Sequence, residues 1–471
     1  MADIAPVTPL RYDLSRLGGS LAAVVSPPYD VISAEQRAEL CARHPHNVVR
    51  LILPEGDGDA KYSHAAALLN QWRDQRILFR DSEPAFYRLD QSFVRPGNSG
   101  PGAITRRGFL ALVRLVPFAD RVVLPHERTL SGPKEDRLKL FRATGANLSP
   151  GFMLYRDPRG ELDAPLERGE ILSEFSTSDG NRHTLAKVRD PEAIRAIVNG
   201  IGRSTLLIAD GHHRYETALR YAAELSAAGH SPPDAEHRFF LTFLANGDSP
   251  DLIVFPTHRH VHSLPDFSFE QFLRRAGADI FAVSELPRGA PVETILAALA
   301  SAGRPAGTDT GDATSPAPPE RGHTRVALAA AGADGRAAIL TLRSGIDLSA
   351  HPTLGGRPAV LRSTDVVVLH AAVLESILGI TPDAQAAKTN IWYPQDAHAA
   401  LRDLRNGVGD ALFLMNATPV AEVRAVAEAG EVMPQKSTFF YPKVPTGLAL
   451  HTLEPARRVA LGHGAQSDSA P

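Results

Sequence analysis

The segment that most constrains the fold is residues 206–219, which read LLIADGHHRYETAL. The apolar run Leu206–Ala209 predicts a buried strand, and Asp210-Gly211 ends it before a helical pattern begins. A strand that turns at glycine into a helix directs the unpaired N–H groups of the first helical turn at one point, where the helix dipole also favours negative charge. Two histidines and an arginine follow at once (His212–Arg214) and add side-chain donors. The segment therefore predicts an anion site. The alternative is a structural corner whose histidines cap the helix or face solvent.

The composition of the whole chain narrows the class of protein to which it can belong. The 471 residues are 43% hydrophobic and 22% charged, which is typical of a soluble globular protein. The length suits two or three domains or one elaborate domain with insertions. The net charge is −3, with 50 basic and 53 acidic residues, so we expect no nucleic-acid partner. No apolar run is long enough to span a membrane, and the N-terminal residues do not resemble a secretory signal. A single cysteine, Cys41, fits a reducing compartment, so the sequence predicts a cytoplasmic protein without a membrane partner.

Strand and helix patterns are mixed along the chain, which predicts an α+β (mixed α/β) fold. Strands are expected at residues 110–116, 238–245 and 336–342, and helices at residues 62–75, 134–144, 217–228 and 371–378. Three segments read as lying outside the core: a loop at Arg95–Gly102, a flexible insertion at Gly303–Gly322, and a disordered tail from Leu461 to Pro471.

The segment VVSPPYDVIS (Val24–Ser33) predicts a strand, a Pro-Pro turn and a helix capped by Ser33, with Glu35 in its first turn. Capping accounts for Ser33 fully. Asp30 follows the rigid turn, where a carboxylate can serve as a general base or bind a metal.

Two further segments are rich in ionisable and polar residues. Residues 124–137 read either as a solvated loop leading into a helix or as a substrate loop, with five candidate ligands: His126, Glu127, Arg128, Lys134 and Arg137. Residues 432–443 offer Gln435, Lys436, Ser437 and Thr438 to a phosphate or carboxylate, and an amphipathic edge strand is the alternative.

A third pattern, His258, His260 and His262, would place three histidines on one face of a strand, as a zinc site requires. No carboxylate follows at the next alternating position, Leu264, so zinc is only one interpretation of this segment.

Five motifs in order resemble the bacterial and archaeal family known as domain of unknown function 1015, over about Pro9 to Leu453. They read SPPYDVIS, PHERTLSGPKEDRLKLFRATGANLSP, IADGHHRYETA, FPTHR and MPQKSTFFYPKVPTGL. Of the three histidines in the strand, only His258 belongs to the family pattern, which lowers the weight of the zinc interpretation. The Gly303–Gly322 insertion is particular to this chain.

The string Gly211-His-His-Arg214 is similar to the G-x-x-R phosphate-binding signature of the ParB/sulfiredoxin-like fold, and most of all to that of the free-serine kinases. The resemblance implies ATP or ADP bound by Gly211, His212, His213 and Arg214, with Mg²⁺ held by Asp210 or Glu216. It implies catalytic roles at the same turn for Asp210, His212 and His213, and a base at Asp30 or Glu35. Lys436, Ser437 and the loop from His126 to Arg137 would recognise a small substrate, L-serine or O-phosphoserine.

The same resemblance organises the chain into a core over residues 1–300, with an α/β insertion at about 40–200. The core would be followed by a linker at 301–325, a C-terminal α/β region at 326–455 that contributes to the site, and a tail at 456–471.

Relatives of that fold with other chemistries fit less well. Sulfiredoxins need a cysteine where this chain has His212, and ParB proteins need a helix-turn-helix and a basic surface, neither of which the sequence indicates. A small-molecule phosphotransferase remains the leading hypothesis. A phosphoserine phosphatase-like hydrolase and a non-enzymatic nucleotide-binding regulator are the alternatives, and self-association into a homo-oligomer is left open.

Overall fold

The computed structural model describes residues 1–94, 102–129, 131–229, 232–303, 325–454 and 456–461. Apart from their end residues Gly102, Gly303 and Leu461, the predicted loop, insertion and tail lie outside the described residues. Among the residues that are described, no helix is both long and apolar enough to cross a membrane.

Twenty-one strands are numbered in chain order. They are β1 (Ile4–Ala5), β2 (Leu10–Tyr12), β3 (Leu78–Arg80), β4 (Phe86–Phe93), β5 (Ile104–Arg114), β6 (Val123–Leu124), β7 (Ala146–Asn147), β8 (Gly151–Tyr155), β9 (Glu170–Ser176), β10 (Arg182–Val188), β11 (Leu206–Asp210), β12 (Phe239–Asn246), β13 (Ile253–Phe255), β14 (Arg259–Val261), β15 (Phe281–Glu285), β16 (Ala327–Gly332), β17 (Ala337–Leu342), β18 (Ile391–Trp392), β19 (Ala411–Met415), β20 (Phe439–Tyr441) and β21 (His451–Thr452), all within the described ranges.

The α-helices of the described residues are numbered in the same way. They are α1 (Ala34–Arg43), α2 (Val49–Ile52), α3 (Ala60–Asp74), α4 (Ser131–Thr144), α5 (Asp163–Glu167), α6 (Pro191–Ile201), α7 (His212–Ala227), α8 (Phe269–Ala278), α9 (Val292–Ala302), α10 (Ala359–Arg362), α11 (Asp365–Val368), α12 (Pro382–Ala387), α13 (Ala397–Arg405) and α14 (Val420–Glu428). A π-helix, Leu369–Ile377, continues from α11.

Contacts between Cα atoms divide the chain into two compact units. The first unit comprises residues 1–125, 129–253 and 442–471, and the second comprises residues 126–128 and 254–441. The second unit is therefore built almost entirely from one continuous segment, whereas the first is completed by the C-terminal residues. Both sides of the 301–325 segment that the sequence suggested as a linker belong to the second unit.

The first unit is built on a nine-stranded sheet in the order β6-β11-β8-β12-β5-β4-β10-β9, with β1 paired to β5. The pairs β6–β11 and β8–β12 are parallel and the other pairs are antiparallel, so the sheet is mixed. Strand β11 lies inside the sheet, and its first four residues are buried, which explains its continuous apolar run. Helix α7 packs against α4. Its Tyr215 joins Ile208 and Phe240 in the core cluster of this unit.

The second unit contains a six-stranded sheet in the order β15-β17-β16-β19-β14-β18, whose pairings are antiparallel. Helices α9 and α13 cover it through Ile295, Leu299 and Leu401, which pack on Ala329 and Leu412. Strands β13 and β20 form a separate two-stranded sheet. The α+β class predicted from the sequence is confirmed.

Most predicted elements coincide with observed ones, and their ends differ for physical reasons. Strand β5 begins at Ile104, six residues before its predicted start, because Arg106 is buried within the sheet although its charge suggested a surface position. Helix α7 begins at His212, five residues earlier than predicted, because His212, Arg214 and Tyr215 are buried in its first turn. Burial against the rest of the unit thus stabilises a helical first turn that the polar residues of this segment did not predict.

Candidate functional site

The junction between β11 and α7 has the predicted strand–turn–helix geometry. Gly211 caps the 16-residue helix α7 with φ of 95°, in the left-handed region that glycine adopts most easily. Glycine supplies no side-chain oxygen to cap the first turn, whose N–H groups have no acceptor within the helix. The turn therefore presents a positive helix end, preceded by Asp210 and followed by His212 and His213.

Arg214 lies beneath this turn and is only 5% exposed. Its Nη2 donates to Asp210 Oδ1 at 2.9 Å, and its Nη1 donates to the carbonyl of Pro150. A Cβ on residue 211 would lie 3.0 Å from the Arg214 Nε, so the guanidinium packs against the glycine. The sequence suggested that Arg214 grips a phosphate, but its terminal nitrogens are directed to protein acceptors. Arg214 fixes the shape of the turn.

Asp210 lies between two cations. Its Oδ1 accepts from Arg214, and its Oδ2 lies 2.5 Å from Nζ of Lys443, at a separation of 233 residues. Lys443 ends the segment 432–443 that the sequence analysis singled out, but it was not among the predicted ligands.

A third cation, Arg106, acts on Asp210 electrostatically. Arg106 is buried under the rings of Phe152 and Phe243, 4.6 and 5.4 Å from its Cζ. Burial lowers the pKa of Arg106 to about 9, and the charge of Asp210 opposes that shift. Nothing in the local sequence of β5 distinguishes Arg106 from a surface arginine, so sequence reasoning missed it.

Tyr29, in the first family motif (SPPYDVIS), lies near the β11–α7 turn. The guanidinium of Arg137 lies 4.2 Å from the Tyr29 ring centroid. Burial raises the pKa of Tyr29, and the charges of Arg214, Asp30, Arg137 and Asp210 modulate it. Tyr29 is therefore close enough to the β11–α7 turn for the charges of Asp210 and Arg214 to act on its phenol.

The two predicted bases differ in their surroundings. Ser33 and Gln36 form the predicted helix cap, with both reciprocal hydrogen bonds at 3.2 Å. The Ser33 hydroxyl also donates to Glu35 Oε2 at 2.7 Å, which lowers the pKa of the exposed Glu35. A lowered pKa makes Glu35 a weaker base than a free glutamate. Asp30 is also exposed and lies in the turn Tyr29–Val31.

Glu216, suggested as a metal ligand, is held by two neighbours. Nζ of Lys134 lies 2.8 Å from Glu216 Oε2, and the Thr129 hydroxyl donates to Oε1 at 2.8 Å. Arg137 is also held within the protein, since its Nη1 donates to the Ile52 carbonyl at 2.7 Å. Lys134 and Arg137 belong to the same unit as the β11–α7 turn, and both bind groups of the protein there.

The other predicted ligands belong to the second unit, where they lie in or near the loop at residues 433–438. Nε2 of the buried His126 lies 2.9 Å from the Thr438 hydroxyl, and the His126 carbonyl accepts from Met433 at 2.8 Å. The Ser437 hydroxyl donates to the Pro434 carbonyl. Glu127 is partly buried in this unit, and Arg128 is exposed.

The buried Arg259 also holds this loop, by donating from Nη2 to the Lys436 carbonyl at 3.2 Å. Its Nε donates to Nε2 of His370 at 3.1 Å. The family motif FPTHR therefore has a structural role that the sequence analysis did not assign to it.

Among the three alternating histidines, His260 and His262 both contact Trp392, and His258 has a different environment. His258 is buried and its Nδ1 accepts from the Met415 N–H at 3.1 Å, while burial lowers its pKa to about 4. The ring of His262 stacks on Trp392 with centroids 4.0 Å apart. In the described part of the chain, no group of three His, Cys, Asp or Glu residues is arranged to hold a metal ion.

Replacing Gly211 by alanine is expected to destabilise the protein by more than the roughly 1–2 kcal/mol that a left-handed backbone usually costs a residue with a Cβ. Arg214 would also have to move, since the new Cβ would lie 3.0 Å from its Nε. Chemical denaturation measures the change. Gly229→Ala is the matched control because Gly229 has φ of 92° and no neighbour within 4 Å of an added Cβ. A loss for Gly211→Ala no larger than for Gly229→Ala would contradict the tight packing of Arg214.

Comparison with known proteins gives a family and no curated relative. The sequence matches the family model described as "Protein of unknown function (DUF1015)" over residues 4–365. The loop at 433–438 lies beyond that match. No curated protein matches the chain.

The solved structures to which the chain is similar have low sequence identity to it and low TM-scores. A conserved hypothetical protein from Pyrococcus furiosus is 15% identical, covering 69% of this chain and 90% of its own, with a TM-score of 0.33. A free serine kinase in complex with AMP is 15% identical, covering 75% and 96%, with a TM-score of 0.34. SbnI with a C-terminal truncation from Staphylococcus aureus is 10% identical, covering 72% and 85%, with a TM-score of 0.32.

Proposed function

We propose, on the premise that this chain belongs to the DUF1015 family of proteins of unknown function, that it is a small-molecule phosphotransferase. It would move phosphate between a nucleotide, ATP or ADP, and L-serine or O-phosphoserine. The observation that carries the proposal is the left-handed Gly211 turn, which opens a 16-residue helix with His212 and His213 in its first turn. A helix N-terminus without a capping side chain suits a phosphate group, because both its N–H groups and its dipole favour negative charge.

The surrounding charges support this assignment. Arg214, Lys443 and Arg106 act on Asp210 from within the same unit, so the turn lies in a positive environment. In phosphoryl transfer, positioned donors and cations stabilise the charge on the transferred group. We assign the phosphate contacts to the Gly211–His213 backbone and to the half-buried His213 side chain, and positioning roles to Arg214 and to His212, which is 8% exposed.

The chemistry requires one proton acceptor. The serine hydroxyl oxygen forms a bond to phosphorus, the bond between phosphorus and the nucleotide oxygen breaks, and the hydroxyl proton moves to a carboxylate. We assign that carboxylate to Asp30, because the Glu35 carboxylate already accepts a hydrogen bond from the Ser33 hydroxyl at 2.7 Å. Asp30 adjoins Tyr29, whose phenol lies within range of the charges of Arg214 and Asp210.

Asp210 and Glu216 do not fit a magnesium site as they stand. The oxygens of Asp210 lie against Arg214 and Lys443, and those of Glu216 lie against Lys134 and Thr129. Magnesium prefers carboxylates together with water and substrate phosphates. We therefore include Mg²⁺ only as the counter-ion of the nucleotide, and no step is assigned to a protein-held metal.

The activity is tested with pure protein, L-serine, Mg²⁺ and either ATP or ADP, and in a second arm with O-phosphoserine with and without ADP. We expect phosphoserine to form from serine, detected by mass spectrometry. Asp30→Asn should lower kcat by about 10²–10⁴-fold, the usual contribution of a general base. Asp57→Asn, at an exposed position in the same unit, is the matched control and should retain activity.

Other results would contradict the proposal in distinct ways. Phosphate released from O-phosphoserine without ADP would indicate a hydrolase. Nucleotide binding without turnover in any arm would indicate a binding protein. Equal loss of activity in Asp30→Asn and Asp57→Asn would remove Asp30 from the role of base.

A further inference from the structure

A cavity of about 170 Å³ lies in the second unit, and none of the residues used in the proposed function line it. Thr418 in its lining donates to the Ser437 carbonyl at 3.2 Å. Two carboxylates line it: Asp365, the first residue of α11, and Glu422, in the first turn of α14. Asn416 and Thr418, which follow β19, and Arg325, which precedes β16, complete its polar lining.

The two carboxylates are short of compensating charge. Asp365 Oδ1 accepts from the Ala327 N–H at 3.2 Å, but among the described residues neither Asp365 nor Glu422 forms an ion pair. Arg325 instead donates from Nη2 to the Leu342 carbonyl at 3.1 Å. Burial raises the pKa of both carboxyl groups to about 7, and the charge of Asp365 adds to the shift of Glu422. A positive group placed between them would relieve both penalties.

The cavity is larger than a bare ion needs. One water molecule needs about 10–15 Å³ of such volume, so a cavity of about 170 Å³ suits a small organic molecule. Asn416, whose Nδ2 donates to the Leu299 carbonyl at 3.4 Å, adds an amide oxygen acceptor to the same lining. A primary ammonium group carries three donors and no acceptor, which matches such a set.

We propose that this cavity binds a small organic compound through a primary ammonium group held between Asp365 and Glu422. The shared chemistry is the ammonium, which either a simple amine or an amino acid supplies. A compound that also carries a carboxylate would place it towards Arg325, the guanidinium in the lining.

Isothermal titration of the full chain at a pH above 7 tests this, with ethanolamine, β-alanine and MgCl₂ as separate probes. We expect at least one of the two amines to bind. Glu422→Gln and Asp365→Asn should each weaken binding by about tenfold or more, because each removes a charge-assisted hydrogen bond. Stronger binding of β-alanine, lost in Arg325→Ala, would identify an amino acid as the preferred class.

Matched controls are Glu431→Gln and Asp383→Asn, which change the same residue types in the same unit outside the cavity. Both controls should bind like the unmodified chain. The proposal is overturned if neither amine binds, if Glu422→Gln and Asp365→Asn bind as tightly as the controls, or if MgCl₂ alone binds.

A second measurement needs no variant. The titratable groups that line the cavity are Asp365, Glu422 and Arg325. An ammonium ion requires the carboxylates to be ionised, so binding near pH 7 should release protons, and affinity should rise as the pH increases through about 7. Titration in buffers of different ionisation enthalpy detects the released protons. A heat that is independent of the buffer, together with an affinity independent of pH, would overturn the proposal.

Discussion

Replacing Arg214 by alanine is expected to lower the free energy of unfolding of the first unit by about 3 kcal/mol, the lower end of the usual cost of breaking a buried ion pair, because Lys443 still faces Asp210. Arg214 is 5% exposed, and its loss removes hydrogen bonds to Asp210 and to the Pro150 carbonyl. The turn at Gly211 would lose the guanidinium against which it packs. We therefore expect weaker nucleotide binding as well, measured under conditions in which the variant remains folded.

The control for this substitution lies on the same helix. Arg220 pairs with Glu135 and Glu224, but its side chain is 54% exposed. Exposed ion pairs contribute about 0–1 kcal/mol, so Arg220→Ala should barely move the denaturation midpoint. Arg214→Lys keeps the charge without the paired donors and should give an intermediate loss. Equal midpoints for Arg214→Ala and Arg220→Ala would show that the buried pair does not hold the turn.

The second large effect is expected for Asp210→Asn, which leaves Arg214 and Lys443 facing a neutral amide. We expect a loss of about 3 kcal/mol, because two partly buried cations lose their shared partner. Asp234→Asn is the matched control, since Asp234 pairs with Arg458 where both side chains are more than a third exposed. Thermal or chemical denaturation measures both variants. A loss for Asp210→Asn as small as that for Asp234→Asn would contradict the network.

The double variant separates a network from two independent contacts. Asp210 and Arg214 belong to one hydrogen-bonded group, so Asp210→Asn with Arg214→Ala should cost less than the sum of the single losses. Strictly additive losses would indicate that the two residues act separately, and the turn would then depend on other contacts.

The sequence predicted the local features of the candidate site because those depend on neighbouring residues. The apolar run of β11, the Asp210-Gly211 break and the Ser33 cap each follow from a short pattern. The predicted ends of strands β12 and β17 and of helix α3 differ from the observed ends by at most two residues.

Short sequence patterns did not predict the contacts that depend on the order of strands in the sheet. Lys443 reaches Asp210 across 233 residues, and the buried position of Arg106 depends on the neighbours of β5 in the sheet. Alternation suggested a shared face for the three histidines, yet only His260 lies within the short strand β14. Predicting these contacts requires the sheet order, which no local pattern contains.

The discontinuous first unit has a consequence for how the protein is made. The residues that complete this unit, from Lys443 to Leu453, leave the ribosome only after the whole of residues 254–441. Until then Asp210 lacks Lys443, β7 lacks its partner β21, and the core lacks Leu453. A nascent first unit therefore keeps apolar surface exposed throughout the synthesis of the second unit, a state in which chains depend on chaperones. The second unit, almost continuous in sequence, can fold as it emerges.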